Sequence, residues 1–240
     1  MAIHTAEAIV LRRYPFRETS ITLSCLTDGF GKVKGLVKGL RAQPNRPRSA
    51  MEPCTVNRIV FYDTRTSSLH LVSQCELLDP LEGIQRDLDT ARLAALCVEL
   101  VDTVVPLDEP QPATYRLLKQ TLERLALGGA EPQALRAYFI VRLLRLAGFQ
   151  PQLDECTGCG QPIHTSGYWS ARAGGLLCPS CLHEDPNAEP ARPELLEALE
   201  TLSKSDQPPA LEAGLLPGLR QRLDAFLRWR LDRPLKTLTT

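Results

Sequence analysis

The chain has 240 residues, of which 43% are apolar and 23% are charged, and its 28 basic side chains balance its 28 acidic ones. This composition is ordinary for a folded chain with room for two compact domains, and it excludes a mostly disordered or a fibrous protein. A net charge of zero gives no reason by itself to expect a nucleic-acid partner. The charge is unevenly distributed, however: residues 1–50 hold nine basic and three acidic side chains, and the last 21 residues have a net charge of +4.

Residues 6–78 show the period-two alternation that is typical of short β-strands. The alternating segments are Glu7–Arg13, Thr19–Thr27, Lys32–Lys38, Val56–Tyr62 and Leu69–Leu77. Turn residues separate the second from the third segment at Asp28–Gly31 and the fourth from the fifth at Asp63–Ser68. Five strands in so short a segment predict a closed OB-fold β-barrel, because closure removes exposed strand edges; an SH3-like barrel is the structural alternative.

The third predicted strand has Lys32, Lys34 and Lys38 on one face and apolar residues on the other. We expect the lysine face to point to solvent. The basic run continues into the next loop with Arg41, Arg46 and Arg48. A groove of this kind can follow a phosphate backbone.

Few aromatic side chains accompany these bases, and several of them are needed in the core. The candidates for stacking on nucleobases are Tyr14, Phe16, Phe30, Phe61 and Tyr62. The first strand and the turn after it supply a second basic group, namely Arg12, Arg13 and Arg17.

From Pro80 onward the apolar period changes to that of helices. The predicted helices are Leu88–Val104, Ala113–Leu127, a third from Pro132 to Gly148, Pro193–Leu202 and Pro217–Leu231. The fold class is therefore α+β multidomain, with an N-terminal OB-fold barrel and an α-helical C-terminal domain. We predict four parts: the barrel (1–80), the first part of the helical domain (81–150), a zinc-finger insert (151–185) and the second part of the helical domain (186–240).

Two cysteine pairs form the strongest chemical motif. Cys156 and Cys159 are followed after 18 residues by Cys178 and Cys181, which matches the C-x₂-C-x₁₅₋₂₀-C-x₂-C spacing of a four-thiolate site. Four thiolates complete a tetrahedral shell, so we predict one structural zinc ion; two disulfides or a dithiol redox pair are the alternatives. Gly158 and Gly160 allow the positive φ that a turn such as the first cysteine turn commonly needs.

The remaining cysteines and the nearby histidines receive structural interpretations. Cys25, Cys54, Cys75 and Cys97 lie in apolar or strand contexts and are expected to be buried thiols. His164 and His183 lie near the cysteine pairs but are expected to face solvent, since four cysteines complete the ligand set. The chain lacks a phosphate-binding loop and the serine-elbow and zinc-protease motifs, so it carries no enzyme signature.

The sequence also predicts a cytoplasmic protein. No stretch approaches the roughly 20 apolar residues of a membrane helix, and the N-terminus lacks the pattern of a signal peptide. Thiols stay reduced in that compartment, which favours a metal over disulfides at the paired cysteines.

These features together resemble one family. The segments Glu7–Arg13, Glu18–Ser20 and Gly31–Gly39, with Thr27, resemble the start of RecO, the bacterial recombination mediators. The helical middle, the four-cysteine insert and the helical C-terminal return match as well, so the resemblance covers essentially the whole chain.

The resemblance implies an OB-fold that binds single- and double-stranded DNA and anneals complementary strands. It also implies action with RecR in loading RecA recombinase onto strands coated by single-strand-binding protein, during DNA repair and homologous recombination. The motif positions implied to bind DNA are Lys32, Lys34 and Lys38, with Arg41 beside them. For Arg12, Arg13 and Arg17 the assignment depends on charge alone.

Two other functions remain open at the level of sequence. A zinc-ribbon protein that binds structured RNA or ribosomes would prefer folded RNA to single-stranded DNA. A thiol oxidoreductase that uses the C-x-x-C pairs would have titratable thiolates and would turn over a dithiol.

Overall fold

The computed structural model describes residues 2–38, 51–63, 68–129, 131–163, 167–231 and 233–238. The chain divides into two compact units, residues 1–130 and 131–240. The first unit therefore contains the predicted barrel together with the first two predicted helices. The four-part division of the sequence analysis stays a prediction.

A closed barrel of five strands forms the core of the first unit. The strands are β1 (Ile3–Phe16), β2 (Ser20–Thr27), β3 (Gly31–Val37), β4 (Val56–Tyr62) and β5 (Leu69–Asp79). Their order around the barrel is β1-β2-β3-β5-β4, and β1 closes the circle by pairing with β4. Neighbouring strands are antiparallel except β3 and β5, which run parallel. With the helical second unit, this barrel confirms the predicted fold class.

Alternation along the strands fills the barrel, and β1 shows why its sequence is apolar on both faces. Ala8 and Val10 belong to the barrel core, together with Phe61 of β4. Ile9 and Leu11 point to the other face, yet they are also buried, because β1 is covered on the outside by a helix. The strand is thus half of two hydrophobic layers.

Two helices cover the outside of the barrel. A 3₁₀ helix (Glu82–Arg86) leads into α1 (Leu88–Val104), and α2 (Pro112–Leu127) follows. Asp87 caps α1 by accepting a hydrogen bond of 2.8 Å from the backbone N–H of Thr90. From α2, the Tyr115 hydroxyl and the Lys119 ammonium group donate to Glu7 of β1 over 2.7 and 2.5 Å. Polar contacts thus add to the apolar packing between barrel and helices.

The loop between α1 and α2 packs on the start of β3 and explains one glycine. The backbone N–H of Asp108 donates to the carbonyl of Lys32 over 2.9 Å. Gly31 has φ +71°, and a Cβ atom there would lie 1.8 Å from the carbonyl oxygen of Glu109. Both the positive φ and the close approach require glycine at this position.

The second unit contains three helices and a small sheet. The helices are α3 (Pro132–Leu146), α4 (Pro193–Lys204) and α5 (Leu216–Arg230), and α3 packs against both others. Arg136 of α3 forms an ion pair with Asp224 of α5, and the arginine is buried. Short 3₁₀ helices lie at Pro179–Glu184, Ala213–Leu215 and Lys236–Leu238. Among the described helices, none is long and apolar enough to span a membrane.

The small sheet lies between α3 and α4 in sequence. Its strands are β6 (Gln152–Cys156), β7 (Tyr168–Ser170), β8 (Gly175–Leu177) and β9 (Glu189–Pro190), in the order β6-β8-β7-β9. The sequence analysis predicted no strands here, because elements of two to five residues are too short to show a period.

Candidate metal centre and nucleic-acid interface

The four paired cysteines come together at one end of the small sheet. Cys156 is the last residue of β6, and β6 pairs in parallel with β8, which ends one residue before Cys178. Cys181 follows in the next 3₁₀ helix. All four sulfur atoms lie within 4.8 Å of one another, with Cys159 the most exposed. All four are free thiols, so the structure contains neither of the disulfides that the sequence left open.

The separation of the sulfurs fits a tetrahedral metal ion. Four thiolates at about 2.3 Å from a zinc ion lie about 3.8 Å from each other. The Sγ atoms of Cys159 and Cys178 are 3.8 Å apart. The donor set is therefore suited in both chemistry and spacing to an ion such as zinc, which would be sealed from solvent chemistry by its four sulfurs.

Backbone amides around the cluster favour a negative sulfur. The N–H of Cys178 donates to the Sγ of Cys156 over 3.3 Å. Burial raises the pKa of the Cys156 thiol, but N–H groups of Cys178, Cys159 and Gly158 outweigh it and lower that pKa to about 6. A thiolate is the form that binds metal.

The two glycines of the first cysteine turn have different roles. Gly160 has φ +71°, as the sequence predicted. Gly158 does not use this freedom, because this residue is not among those with positive φ. Space is tight there: a Cβ atom would lie 3.1 Å from the Cβ of Cys181 and 2.3 Å from the end of the flexible Glu184 side chain, which would have to move aside.

His183 and the four remaining cysteines do not belong to the cluster. His183 is exposed, with its Nδ1 atom 3.0 Å from the carbonyl of Ser180, and His164 lies outside the described residues. Cys25 and Cys97 are buried as predicted, whereas Cys54 and Cys75 are only half-buried.

Lys34 and Lys38 of the predicted basic face point to solvent, but Lys32 does not. Lys32 is 7% exposed, and its ammonium group donates to the backbone carbonyl of Asp102 in α1 over 2.6 Å. The prediction that all three lysines face solvent was therefore wrong for Lys32. The alternation was identified correctly, but α1 covers the first position of this face and leaves the later two open.

Lys32 belongs to a polar cluster between the barrel and α1. Arg12 forms an ion pair of 2.7 Å with the Asp102 carboxylate and one of 3.4 Å with Glu99. Ser24 of β2 donates to the same Asp102 over 2.6 Å. Because Glu99 and Asp102 of α1 already contact the charged groups of Arg12 and Lys32, these groups are less available to phosphate than those of exposed basic side chains. No pattern within residues 1–50 indicates this, since the partners are more than 65 residues away.

The other basic side chains of residues 1–50 lie in separate environments. Arg13 is half-buried and forms an ion pair with Glu52. Arg17 is exposed, has φ +56° and lies over the ring of Phe16, with 5.3 Å between its guanidinium carbon and the ring centroid. Arg41, Arg46 and Arg48 lie outside the described residues.

Strand register brings exposed aromatic and basic side chains onto one outer face of β1, β2 and β3. Arg12 is opposite Ser24, which is opposite Lys34; Tyr14 and Phe16 follow in the next rows of β1. Lys38 comes directly after Val37, the partner of Ile21, and thus lies at the Phe16 end. We call this surface the β1–β3 strip: it consists of Tyr14, Phe16, Arg17, Lys34 and Lys38.

The side chains of the β1–β3 strip are available to a ligand. Tyr14 is 48% and Phe16 37% exposed, in contrast to Phe61, which is buried in the core. Within the part of the chain that the structure describes, neither Lys34 nor Lys38 forms an ion pair. The sequence analysis named both aromatic residues but could not separate them from the core aromatics, because their exposure depends on where β1 extends beyond the helices.

Some of the basic residues near the C-terminus contact other residues of the second unit. Arg222 is buried and pairs with Glu189 over 3.2 Å. Arg230 donates to the carbonyl of Ala173 over 2.9 Å. Arg228 is exposed. The net positive charge of this segment therefore overstates the charge that it offers to a partner.

Comparison with known proteins identifies the family. The models for the N-terminal and C-terminal parts of recombination protein O match residues 1–81 and 85–239. The chain is 33% identical to the DNA repair protein RecO of Desulforudis audaxviator, over 84% of this chain and 80% of that protein. It is 30% identical to RecO of Symbiobacterium thermophilum over 99% and 96%, and 32% identical to RecO of Geobacter metallireducens over 97% and 94%. Because the matches extend from the barrel through the cysteine cluster to the last helix, the chain belongs to the RecO family.

Proposed function

We propose that the chain binds single- and double-stranded DNA through the β1–β3 strip and acts as a mediator of DNA repair and recombination. The observation that carries this proposal is the juxtaposition of two exposed aromatic rings with two lysines that form no ion pair among the described residues, across three strands of an OB-fold barrel. Exposed rings can stack on nucleobases, and basic side chains beside them attract phosphate.

The physics of such a surface requires no bond chemistry. Lys34, Lys38 and Arg17 neutralise phosphates and release counterions, which gives affinity that falls with salt and ignores sequence. Tyr14 and Phe16 stack on unpaired bases, and every base has a face on which to stack. A surface that screens two strands in this way also favours their annealing.

The family gives this binding its biological setting. RecO relatives are named as DNA repair proteins. We extend this to annealing of complementary strands and to loading of RecA, together with RecR, on strands coated by single-strand-binding protein in the bacterial cytoplasm. A reconstituted assay with these three partners tests the extension: addition of the chain should shorten the lag of RecA assembly on coated strands.

For the cysteine cluster we propose one structural zinc ion held by Cys156, Cys159, Cys178 and Cys181. Zinc would stabilise the fold and would not catalyse a reaction, since four protein ligands leave no position for water or substrate. The same closed shell argues against a thiol oxidoreductase.

A charge-reversal experiment tests the DNA site. The double variant Lys34→Glu/Lys38→Glu should weaken binding of a labelled single-stranded oligonucleotide, measured by anisotropy over a salt series. Each lost phosphate contact should reduce the slope of log affinity against log salt by about 0.7, so the pair should reduce it by about 1.4. The matched control is Arg86→Glu/Arg116→Glu, which makes the same charge change at two other exposed bases of the first unit.

A larger loss of affinity and of salt slope in the lysine variant than in the arginine variant supports the strip. Equal losses in the two variants would mean that net charge alone matters, and an unchanged slope in the lysine variant would move the DNA site off the barrel. A folded RNA that displaces single-stranded DNA from the wild-type protein at equal concentration would favour the RNA-binding alternative.

A further inference from the structure

A cavity of about 400 Å³ in the second unit lies between the small sheet and α5. Its lining includes both tryptophans of the chain, Trp169 of β7 and Trp229 of α5. On α5, the lining residues Gln221, Ala225 and Trp229 recur every fourth position and so share one helix face. The small Ala225 between two larger side chains leaves the depression, whose volume lies within the roughly 300–1,000 Å³ of small-ligand pockets.

Trp169 forms a rigid part of the cavity wall. Its side chain is 4% exposed, so its position is fixed by packing, including the ring of Phe226 at 5.9 Å. The indole N–H forms no hydrogen bond among the described residues, but it is covered by protein and is not accessible to a ligand in the cavity.

The two acidic side chains of the lining, Asp185 and Glu189, have partners within the protein. The Asp185 carboxylate accepts from the Ser170 hydroxyl over 2.6 Å and from the backbone N–H of Asn187 over 3.1 Å. Glu189 pairs with Arg222. The lining groups that remain for a ligand are the Trp229 ring, the amides of Asn187 and Gln221 and the exposed Arg172.

We infer that this cavity binds a nucleobase. Trp229 is 62% exposed and offers a face for stacking, while the side-chain amides of Asn187 and Gln221 offer donors and acceptors to the edge of a planar, neutral heterocycle. Arg172 at the rim suits the phosphate that accompanies the base. A free phosphate is a poorer fit, because Asp185 and Glu189 line the same cavity.

The base can come from a single strand or from a free nucleotide. A strand would make the cavity a second contact point, separate from the β1–β3 strip and independent of whether that strip binds DNA. The chemistry that recognises the base is the same in both cases, so the experiment separates them.

The two tryptophans make the full-length protein its own probe. Tryptophan emission is recorded while a short oligo(dT), an abasic oligonucleotide of equal length, or thymidine monophosphate is added at low salt. The emission should change with oligo(dT) and stay constant with the abasic strand. A comparable change with the monophosphate at similar concentration assigns the site to free nucleotides; a change with the oligonucleotide alone assigns it to a base within a strand.

Variants connect the signal to the cavity. Trp229→Ala should weaken anisotropy-measured binding of labelled oligo(dT) by at least about fivefold, the lower limit for loss of one stacked base, and leave abasic binding unchanged. Phe149→Ala, which removes another exposed aromatic ring of the same unit, should leave both unchanged. The change in tryptophan emission with oligo(dT) should also persist in Lys34→Glu/Lys38→Glu, because both tryptophans line the cavity and neither belongs to the β1–β3 strip, so failure of the strip and failure of the cavity are distinguishable.

The inference is overturned by either of two results. One is an equal loss of oligo(dT) and abasic binding in Trp229→Ala, which would indicate a purely electrostatic or structural role. The other is constant emission with oligo(dT) and with the monophosphate. Circular dichroism and metal content of Trp229→Ala, matched to the wild type, show that the variant is folded.

Discussion

The barrel and the cysteine-bearing segment of the second unit are stabilised by opposite means. Inside the barrel, a continuous apolar cluster includes Leu23, Ile59 and Phe61. Among the described residues of the cysteine segment, the buried cluster around the sulfurs consists of Cys156, Leu177 and Cys181, with a few partly buried neighbours. Two of these three residues are candidate metal ligands. Hydrophobic burial can stabilise the first region, whereas the second has a small apolar core in which cysteines take a large share.

The largest effect is expected from breaking the metal site. Cys181→Ser should abolish stoichiometric zinc and expose residues 152–190 to protease, because zinc sites of this type contribute about 10–16 kcal/mol to folding. The barrel should stay resistant. Elemental analysis and mass spectrometry of limited digests measure both effects. Cys54→Ser, at a thiol outside the cluster, is the control and should keep the metal; a resistant, metal-free Cys181→Ser protein would contradict the comparison.

An intermediate effect is expected from separating the lysines of β3. Lys32→Met should lower the free energy of unfolding of the first unit by about 1.5–3 kcal/mol, since it removes a charged hydrogen bond to a buried carbonyl. Lys34→Met should change stability by less than about 0.5 kcal/mol and should weaken oligonucleotide binding more than Lys32→Met does. Urea denaturation and anisotropy give the two rankings. If Lys32→Met is the weaker binder and equally stable, the assignment of Lys32 to structure is wrong.

The smallest effect is expected at the polar contact between β1 and α2. Hydrogen bonds from Lys119 and Tyr115 lower the pKa of Glu7 below its ordinary 4.5. The stability that Glu7 contributes is therefore present above that ordinary pKa and is lost as the pH falls through the lowered value. Glu7→Gln should cost about 0.2–1 kcal/mol at neutral pH, and its difference from wild type in urea denaturation should shrink in acid. A difference that grows in acid would refute this.

The sequence predicted the barrel well because each strand pairs with another strand that shows the same alternation of apolar and polar residues. It also predicted which four cysteines come together, since two C-x₂-C turns are local features. The prediction failed where a distant element decides the outcome. Lys32 is buried, and its ammonium group donates to the backbone carbonyl of Asp102 in α1. This contact joins residues far apart in sequence, and no local pattern encodes it.

The exposed aromatic residues show the same limit from the other side. No local pattern distinguishes Tyr14 from Phe61, yet Tyr14 lies on the β1–β3 strip and Phe61 lies in the core. Trp229 lies at an apolar-looking position of α5 and is exposed. Only the packing of neighbouring elements decides which ring is available to a ligand.

The cluster of Arg12, Lys32 and Asp102 has a consequence for how salt acts on this protein. Counterions screen exposed charges over about 8–10 Å at ordinary ionic strength but act much less on charges that are shielded from water. The basic side chains on the β1–β3 strip are exposed to this screening, whereas Arg12 and Lys32, which contact α1, are more shielded from it. Added salt should therefore release bound nucleic acid from a barrel that stays intact, and dilution should restore binding without any refolding step.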